Sequence, residues 1–352
     1  AELNCSDPGT TGINIDAIVS LITSVTPPTD GMNLLGDDLD FTVNFDDNIV
    51  VTGTPQISIT LTSGVVTADY LSGSGTSSLL FRFSVGATDS DLDGVSIATA
   101  VTLNGGTLLD SNGYDAVLTF SDPGTTNINV DGVVPSVTSV TPPADGQFKL
   151  ADNLDFTLNF DQIVNIVGVP RLLLTLDTGG AVFADYLSGT GSNAIIFRYT
   201  VGVGTEDTNG IGLSSPMDLN SGTIKDVNGN DSNLSFTLPA LGGVNVDGTI
   251  PTISSVTAPV NGTYSLGENL DFSVNYSENV DISGTPRLEI FLDTGGYVYA
   301  DYISGTGSST LVFRLNIVSG LRDSNGIALT LSIDLNGGAI LDSFAGNSAN
   351  LN

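Results

Sequence analysis

Apolar and polar residues alternate over short runs along this chain. Leu154, Phe156, Leu158 and Phe160 fall on one side of an extended segment, with Asp155, Thr157 and Asn159 on the other. A half-buried strand has this period of two. Arg171 to Leu176, Ala181 to Leu187 and Ala194 to Val201 read as further strands, separated by glycine-rich turns such as Ser188-Gly189-Thr190-Gly191. No stretch carries the roughly 3.6-residue period of an amphipathic helix. The pattern predicts an all-β chain.

The pattern also repeats. Ala68-Asp69-Tyr70-Leu71-Ser72-Gly73-Ser74-Gly75 recurs at 184–191 and again at 300–307, both steps being 116 residues. Asp40 to Phe45 matches Asp155–Phe160 and Asp271–Tyr276, and Phe81-Arg82 matches Phe197-Arg198 and Phe313-Arg314. Pro28, Pro143 and Pro259 follow the same first strand. A period of this length marks tandem units. About seven short strands per unit indicate antiparallel β-sandwiches of immunoglobulin type. The expected organisation is residues 1–16 as a separate N-terminal strand, then repeats over 17–131, 132–247 and 248–352. With a single cysteine and no tryptophan, the Cys–Trp–Cys core of antibody domains is absent, so the likeness is architectural.

Other recurring residues complete the motif. They are Gly-x-Pro before the third strand, Leu-Asn-Gly-Gly late in the first and third units, and Pro-x-(Ile/Val)-x-Ser-Val-Thr at the start of the second and third. Over nearly the whole chain, this string resembles the immunoglobulin-like repeats of very large bacterial surface proteins and adhesins. It is also similar to repeats associated with swimming motility in marine bacteria. The resemblance implies stalks and spacers at an extracellular surface and brings no catalytic residues with it.

Composition narrows the function further. The chain has 39 acidic and 8 basic residues, a net charge of −31. That opposes nucleic acid, which needs a basic face, and anionic membranes. No apolar run approaches the about 20 residues of a membrane-spanning helix. Without histidine and with one cysteine, Cys–His zinc sites and Ser–His–Asp or Cys–His catalysis are excluded. The carboxylates are scattered and carry no glycosidase motif, so a non-enzymatic role is expected.

The two ends of the chain read differently from the repeats. The first repeat closes through Ala116 to Gly124 and Ile128-Asn129-Val130-Asp131; the second closes through Asn233 to Leu238 and Val244-Asn245-Val246-Asp247. In the third, Ala349-Asn350-Leu351-Asn352 aligns with Ser232 to Ser235, and the closing strand is missing. Residues 1–16 match Ala116–Asp131 almost residue for residue, Ile13-Asn14-Ile15-Asp16 standing for Ile128–Asp131. Sixteen extended residues span about 55 Å. Three sandwiches in a row exceed roughly 100 Å at about 3.3 Å per strand residue. The expected recipient of the N-terminal strand is therefore repeat 3 of another copy.

That reading is donor-strand complementation, and its logic resembles that of chaperone–usher pili. A head-to-tail contact that does not close makes a filament. Leu3, Cys5, Ile13 and Ile15 are the expected buried donor residues, and Ala349 and Leu351 mark the acceptor end. The partners expected are copies of the chain itself, with a host-surface or glycan ligand as a further candidate. The alternative is a stalk or ligand-binding segment of a large adhesin.

Two candidate sites remain. Asp89, Asp91 and Asp93 form an Asp-x-Asp-x-Asp-Gly run, a candidate calcium loop without the glutamate and flanking helices of an EF-hand. Asp207-x-Asn209-Gly210 and Asp323-x-Asn325-Gly326 are weaker versions. Arg82, Arg198 and Arg314 occupy one repeat position, and pairing with Asp69, Asp185 and Asp301 on a neighbouring strand is expected. Asp110, Asp226 and Asp342 are expected to form turns, and Cys5 to be a small buried hydrophobe.

Overall fold

The computed structural model describes residues 18–352, and every named element in them is a β-strand. Leu3, Cys5, Ile13 and Ile15 lie outside the described residues. The chain divides into two compact units, one running to Pro135 and including Lys225–Asn233, the other comprising Ser136–Ile224 and Leu234–Asn352.

Repeat 1 is built on one curled, antiparallel sheet. Its order is Ile22–Thr26, Asp38–Thr52, Thr76–Ser84, Gly64–Ser72, Gln56–Leu61, Ser96–Thr102. The Asp38–Thr52 strand bends, because its ladder with Thr76–Ser84 breaks between Asn44 and Ile49. Beyond that bulge it pairs with Thr107–Asp110. One 15-residue strand thus serves both halves of the curl. Alternation decides what lies inside: Leu39, Phe41, Val43, Phe81, Ile57 and Ile59 are fully or almost fully buried.

A second, smaller sheet closes the sandwich. Ile128–Asp131 runs parallel to Gly31–Leu34 and antiparallel to Ser90–Asp91. Ile128 and Val130 are completely buried against the core, each contributing about 1.5–3 kcal/mol. Repeat 2 has the same design, with Val244–Asp247 between Gly146–Lys149 and Glu206–Asp207. Repeat 3 has the large sheet, from Ile253–Thr257 through Asn269–Ser283 to Ala328–Asp334. Among the described residues it has no small sheet. The chain is therefore three tandem immunoglobulin-like β-sandwich units, and among the described residues the third shows no closing strand.

The motif Ala-Asp-Tyr-(Leu/Ile)-Ser-Gly has a local cause. A Cβ on Gly73, Gly189 or Gly305 would stand 2.2, 2.3 or 2.1 Å from the carbonyl oxygen of Ser78, Ala194 or Thr310. Their φ of 109°, 115° and 117° also suits glycine alone. The tyrosine hydroxyl three residues earlier accepts the backbone N–H of Ser74, Thr190 or Thr306, and its ring stands edge-on to Phe81, Phe197 or Phe313.

Candidate assembly site

In repeat 1 the closing segment first adds to the large sheet. The Val101 N–H donates to Leu118 O at 2.9 Å and the Phe120 N–H to Thr99 O at 2.9 Å, with Leu118 and Phe120 packing on the core. In repeat 2 the Met217 N–H donates to Leu234 O at 3.2 Å, and Leu234 and Phe236 pack in the same way. Both chains then cross to the small sheet.

Repeat 3 starts along this path. The Ala349 N–H donates to Ile340 O at 3.0 Å, the Asn350 N–H to Pro251 O at 2.8 Å, and the Ile333 N–H to Leu351 O at 3.0 Å. Leu351 thus takes the place of Leu118 and Leu234. Leu3, which lies outside the described residues, aligns in sequence with this same place. The sequence without a counterpart in repeat 3 begins at Cys5.

Beyond Leu351 lies an apolar groove of about 240 Å³, lined by Ile253, Val256, Val274, Leu288, Leu329 and Ile333 among others. Among the described residues, no strand lies between 262–265 and 322–323, which match the small sheet's outer strands.

Successive repeats are tied by buried asparagines. Asn230 donates to Asp131 O at 3.0 Å and to Asp226 Oδ2 at 2.9 Å, and accepts the Leu35 N–H at 3.2 Å. Asn228 donates to Asp131 Oδ2 at 2.6 Å. These contacts explain why Lys225–Asn233 clusters with the first unit although its sequence belongs to the second repeat. Asn347 makes the matching set, donating to Asp247 O at 2.8 Å and accepting the Leu150 N–H at 2.9 Å. Each asparagine holds the last residue of the preceding repeat's closing strand. The first repeat carries Tyr114 at this position, and its side chain is exposed.

Asp110, Asp226 and Asp342 shape the loops that present these residues. Asp110 Oδ1 accepts the Asn112 and Tyr114 N–H groups, both at 2.9 Å. Asp226 and Asp342 do the same for their loops, Asp342 also accepting the Asn347 N–H. They are turn-formers, as their Asx spacing suggests.

Glu206, Asp247, Glu278 and Asp342 line one depression where repeat 3 follows repeat 2. Burial, then the charges of Asp247, Asp342 and Glu206, push the Glu278 carboxyl up to about 7. Burial likewise raises Asp247. Among the described residues, one Glu278 carboxylate oxygen and the Tyr276 hydroxyl are buried without hydrogen-bond partners.

The arginine position is paired differently from the expectation. Arg82 grips Asp40 through Nε and Nη2, both at 2.7 Å, and reaches Asp38 at 2.7 Å. Arg198 holds Asp155 and Arg314 holds Asp271 with the same two-pronged geometry. The partners are therefore Asp40, Asp155 and Asp271 rather than Asp69, Asp185 and Asp301. Both sets flank the arginine across the sheet. However, the ladder to Asp40 is unbroken from Asp38 to Asn44, whereas that to Asp69 slips just beyond, between Tyr70 and Ser72. Asp69 instead accepts Gln56 at 2.8 Å and Thr67 at 3.1 Å.

The candidate calcium loop is arranged as a set of turns. Among the described residues, no three acidic groups are placed to hold a metal ion. Asp91, only 4% exposed, accepts the Thr62 N–H at 3.0 Å and the Asp93 N–H at 3.3 Å. Asp89 accepts the Gly86 N–H at 2.7 Å, and Asp93 the Thr62 hydroxyl at 3.4 Å. The carboxylates are directed at turn amides and a hydroxyl instead of one common point.

No family model matches the chain. No curated protein matches it either. Two solved structures titled "Marsupial T cell receptor" are similar to it. One is 11% identical with a TM-score of 0.33 and covers 93% of this chain and 99% of the other. The second is 10% identical with a TM-score of 0.20, covering 90% and 98%.

Proposed function

We propose that this protein is a structural subunit of an extracellular filament, joined head to tail when the N-terminal segment of one copy completes repeat 3 of the next. The observation that carries the reading is the open apolar groove of repeat 3, set against its filled counterparts in repeats 1 and 2. Residues 5–16 resemble residues 120–131, the segment that closes repeat 1, differing only at Cys5, Gly12 and Ile15, and Ile13 and Ile15 alternate as Ile128 and Val130 do. Burying two such side chains contributes about 3–6 kcal/mol before the cost of ordering the segment. Backbone pairing adds about 1 kcal/mol per hydrogen bond. The surplus of carboxylates keeps long assemblies soluble.

A second reading rests on the asparagine ties. Residues that clamp one repeat onto the next suit a rigid stalk of tandem repeats in a larger adhesin, with further chain after Asn352 closing repeat 3. Deleting residues 1–16 distinguishes the two. A filament subunit so truncated loses its sedimentable, electron-microscopically visible polymers while repeats 1 and 2 stay folded. Polymers that persist after the deletion refute the filament reading.

A further inference from the structure

We propose that Arg322 is a positioning residue for the incoming strand, forming a cross-strand ion pair with Asp16 of a second copy. The inference rests on the donor-strand reading above and adds the charge that seats the strand.

The closing strands of repeats 1 and 2 end in Asp131 and Asp247. In the small sheets, Asp131 lies opposite Ser90 and Asp247 opposite Glu206. The same position in repeat 3 is Arg322, 116 residues after Glu206. The backbone confirms the equivalence. Thr178 and Glu206 exchange hydrogen bonds of 2.8 and 3.0 Å, and Thr294 and Arg322 exchange bonds of 2.9 and 3.1 Å. A strand seated in repeat 3 as Val244–Asp247 is seated in repeat 2 places Asp16 across from Arg322.

Charge makes the substitution informative. Of the 8 basic residues, Arg82, Arg171, Arg198, Lys225, Arg287 and Arg314 are held in ion pairs. Arg322 is exposed, and among the described residues no carboxylate pairs with its guanidinium. The facing pair is Ser–Asp in repeat 1 and Glu–Asp in repeat 2, and becomes Arg–Asp only where the strand would come from elsewhere. A strand within its own chain is held at high effective concentration and tolerates an indifferent or repulsive partner. One arriving from solution gains from attraction, which steers the encounter and fixes register. Asp47 and Asp110 of the incoming repeat 1 correspond to Glu278 and Asp342, so Arg322 would meet a locally acidic face.

The test is a charge swap in the full chain, read as the critical concentration for polymer formation at about 20 mM and about 500 mM salt, where screening differs strongly. Arg322→Glu and Asp16→Arg should each raise it about three- to tenfold at low salt, from the size of cross-strand charge effects. The double variant should return it close to the wild-type value, and high salt should flatten all the differences. Single variants that assemble like the wild type at low salt, or a double variant no better than its parents, overturn the pair. An Ile13→Asp/Ile15→Asp chain serves as control. If it still assembles, or if the wild-type chain forms no polymer, the donor-strand reading falls and the pair with it.

Discussion

The side-chain amide of Asn347 donates to the backbone carbonyl of Asp247, joining a loop of repeat 3 to the last residue of repeat 2's closing strand at 2.8 Å. Both residues are 3% exposed, so neither group can turn to water instead. Asn347→Ala leaves this carbonyl and the Leu150 N–H unpaired. It should cost about 1–3 kcal/mol. Calorimetry should then show repeat 3 melting apart from repeat 2, where the wild type melts them together. An unchanged single transition would contradict the tie.

The carboxylates beside that tie make it pH-dependent. The Glu278 carboxyl is raised to about 7 from 4.5, chiefly by burial. A raised carboxyl binds its proton more tightly folded than unfolded, so the stability it contributes is full below about 4.5 and is lost as pH rises through about 7. Acidifying from pH 8 to 5.5 should therefore raise the melting temperature of repeats 2 and 3. Glu278→Gln should remove most of that rise, and a variant that keeps it would show that the dependence arises elsewhere.

Tyr276 stands where repeats 1 and 2 have Phe45 and Phe160. Its hydroxyl is buried without a partner among the described residues, and burial pushes its ionisation up to about 12. Tyr276→Phe deletes an unsatisfied group and restores the ring used by the other repeats. It should stabilise repeat 3 by about 1 kcal/mol in denaturant titration. Destabilisation would mean that the hydroxyl has an unrecognised partner.

The arginine pairs give a differential test. Arg82 holds Asp40 below the usual carboxylate range, mainly through their hydrogen bonds. The stability from this pair is present above the ordinary aspartate value of 3.8 and is lost as pH falls through the lowered one. At neutral pH, Asp40→Asn should lower the melting temperature of repeat 1 more than Asp69→Asn does. The reverse order would contradict the observed pairing.

The sequence carried the architecture because period-two burial is a local signal and a 116-residue repeat shows on self-comparison. Leu39, Phe41 and Val43 alternate with Asp38, Asp40 and Thr42 as a strand must. Which aspartate an arginine grips depends on where a ladder slips, and the bulge at Tyr70–Ser72 leaves no compositional trace. The Asp89–Asp93 run looked like a calcium loop because metal loops and Asx turns share a vocabulary of Asp, Asn and Gly. Asn230 and Asn347 were missed because asparagine in a turn is ordinary. Their role emerges only from the buried carbonyls they reach. The groove was foreseeable from the unmatched closing segment, but Leu351's claim to the place of Leu3 required the hydrogen bond from Ile333.

The central claim is that repeat 3 accepts the N-terminal segment of another copy. Its most direct test is titration of a synthetic peptide of residues 1–16 into the chain lacking those residues, followed by hydrogen exchange. The account predicts saturable one-to-one binding that protects backbone amides at 262–265 and 322–323, and no binding by a peptide with Ile13 and Ile15 changed to Asp. Equal binding by both peptides, or protection confined to repeat 1, would contradict it.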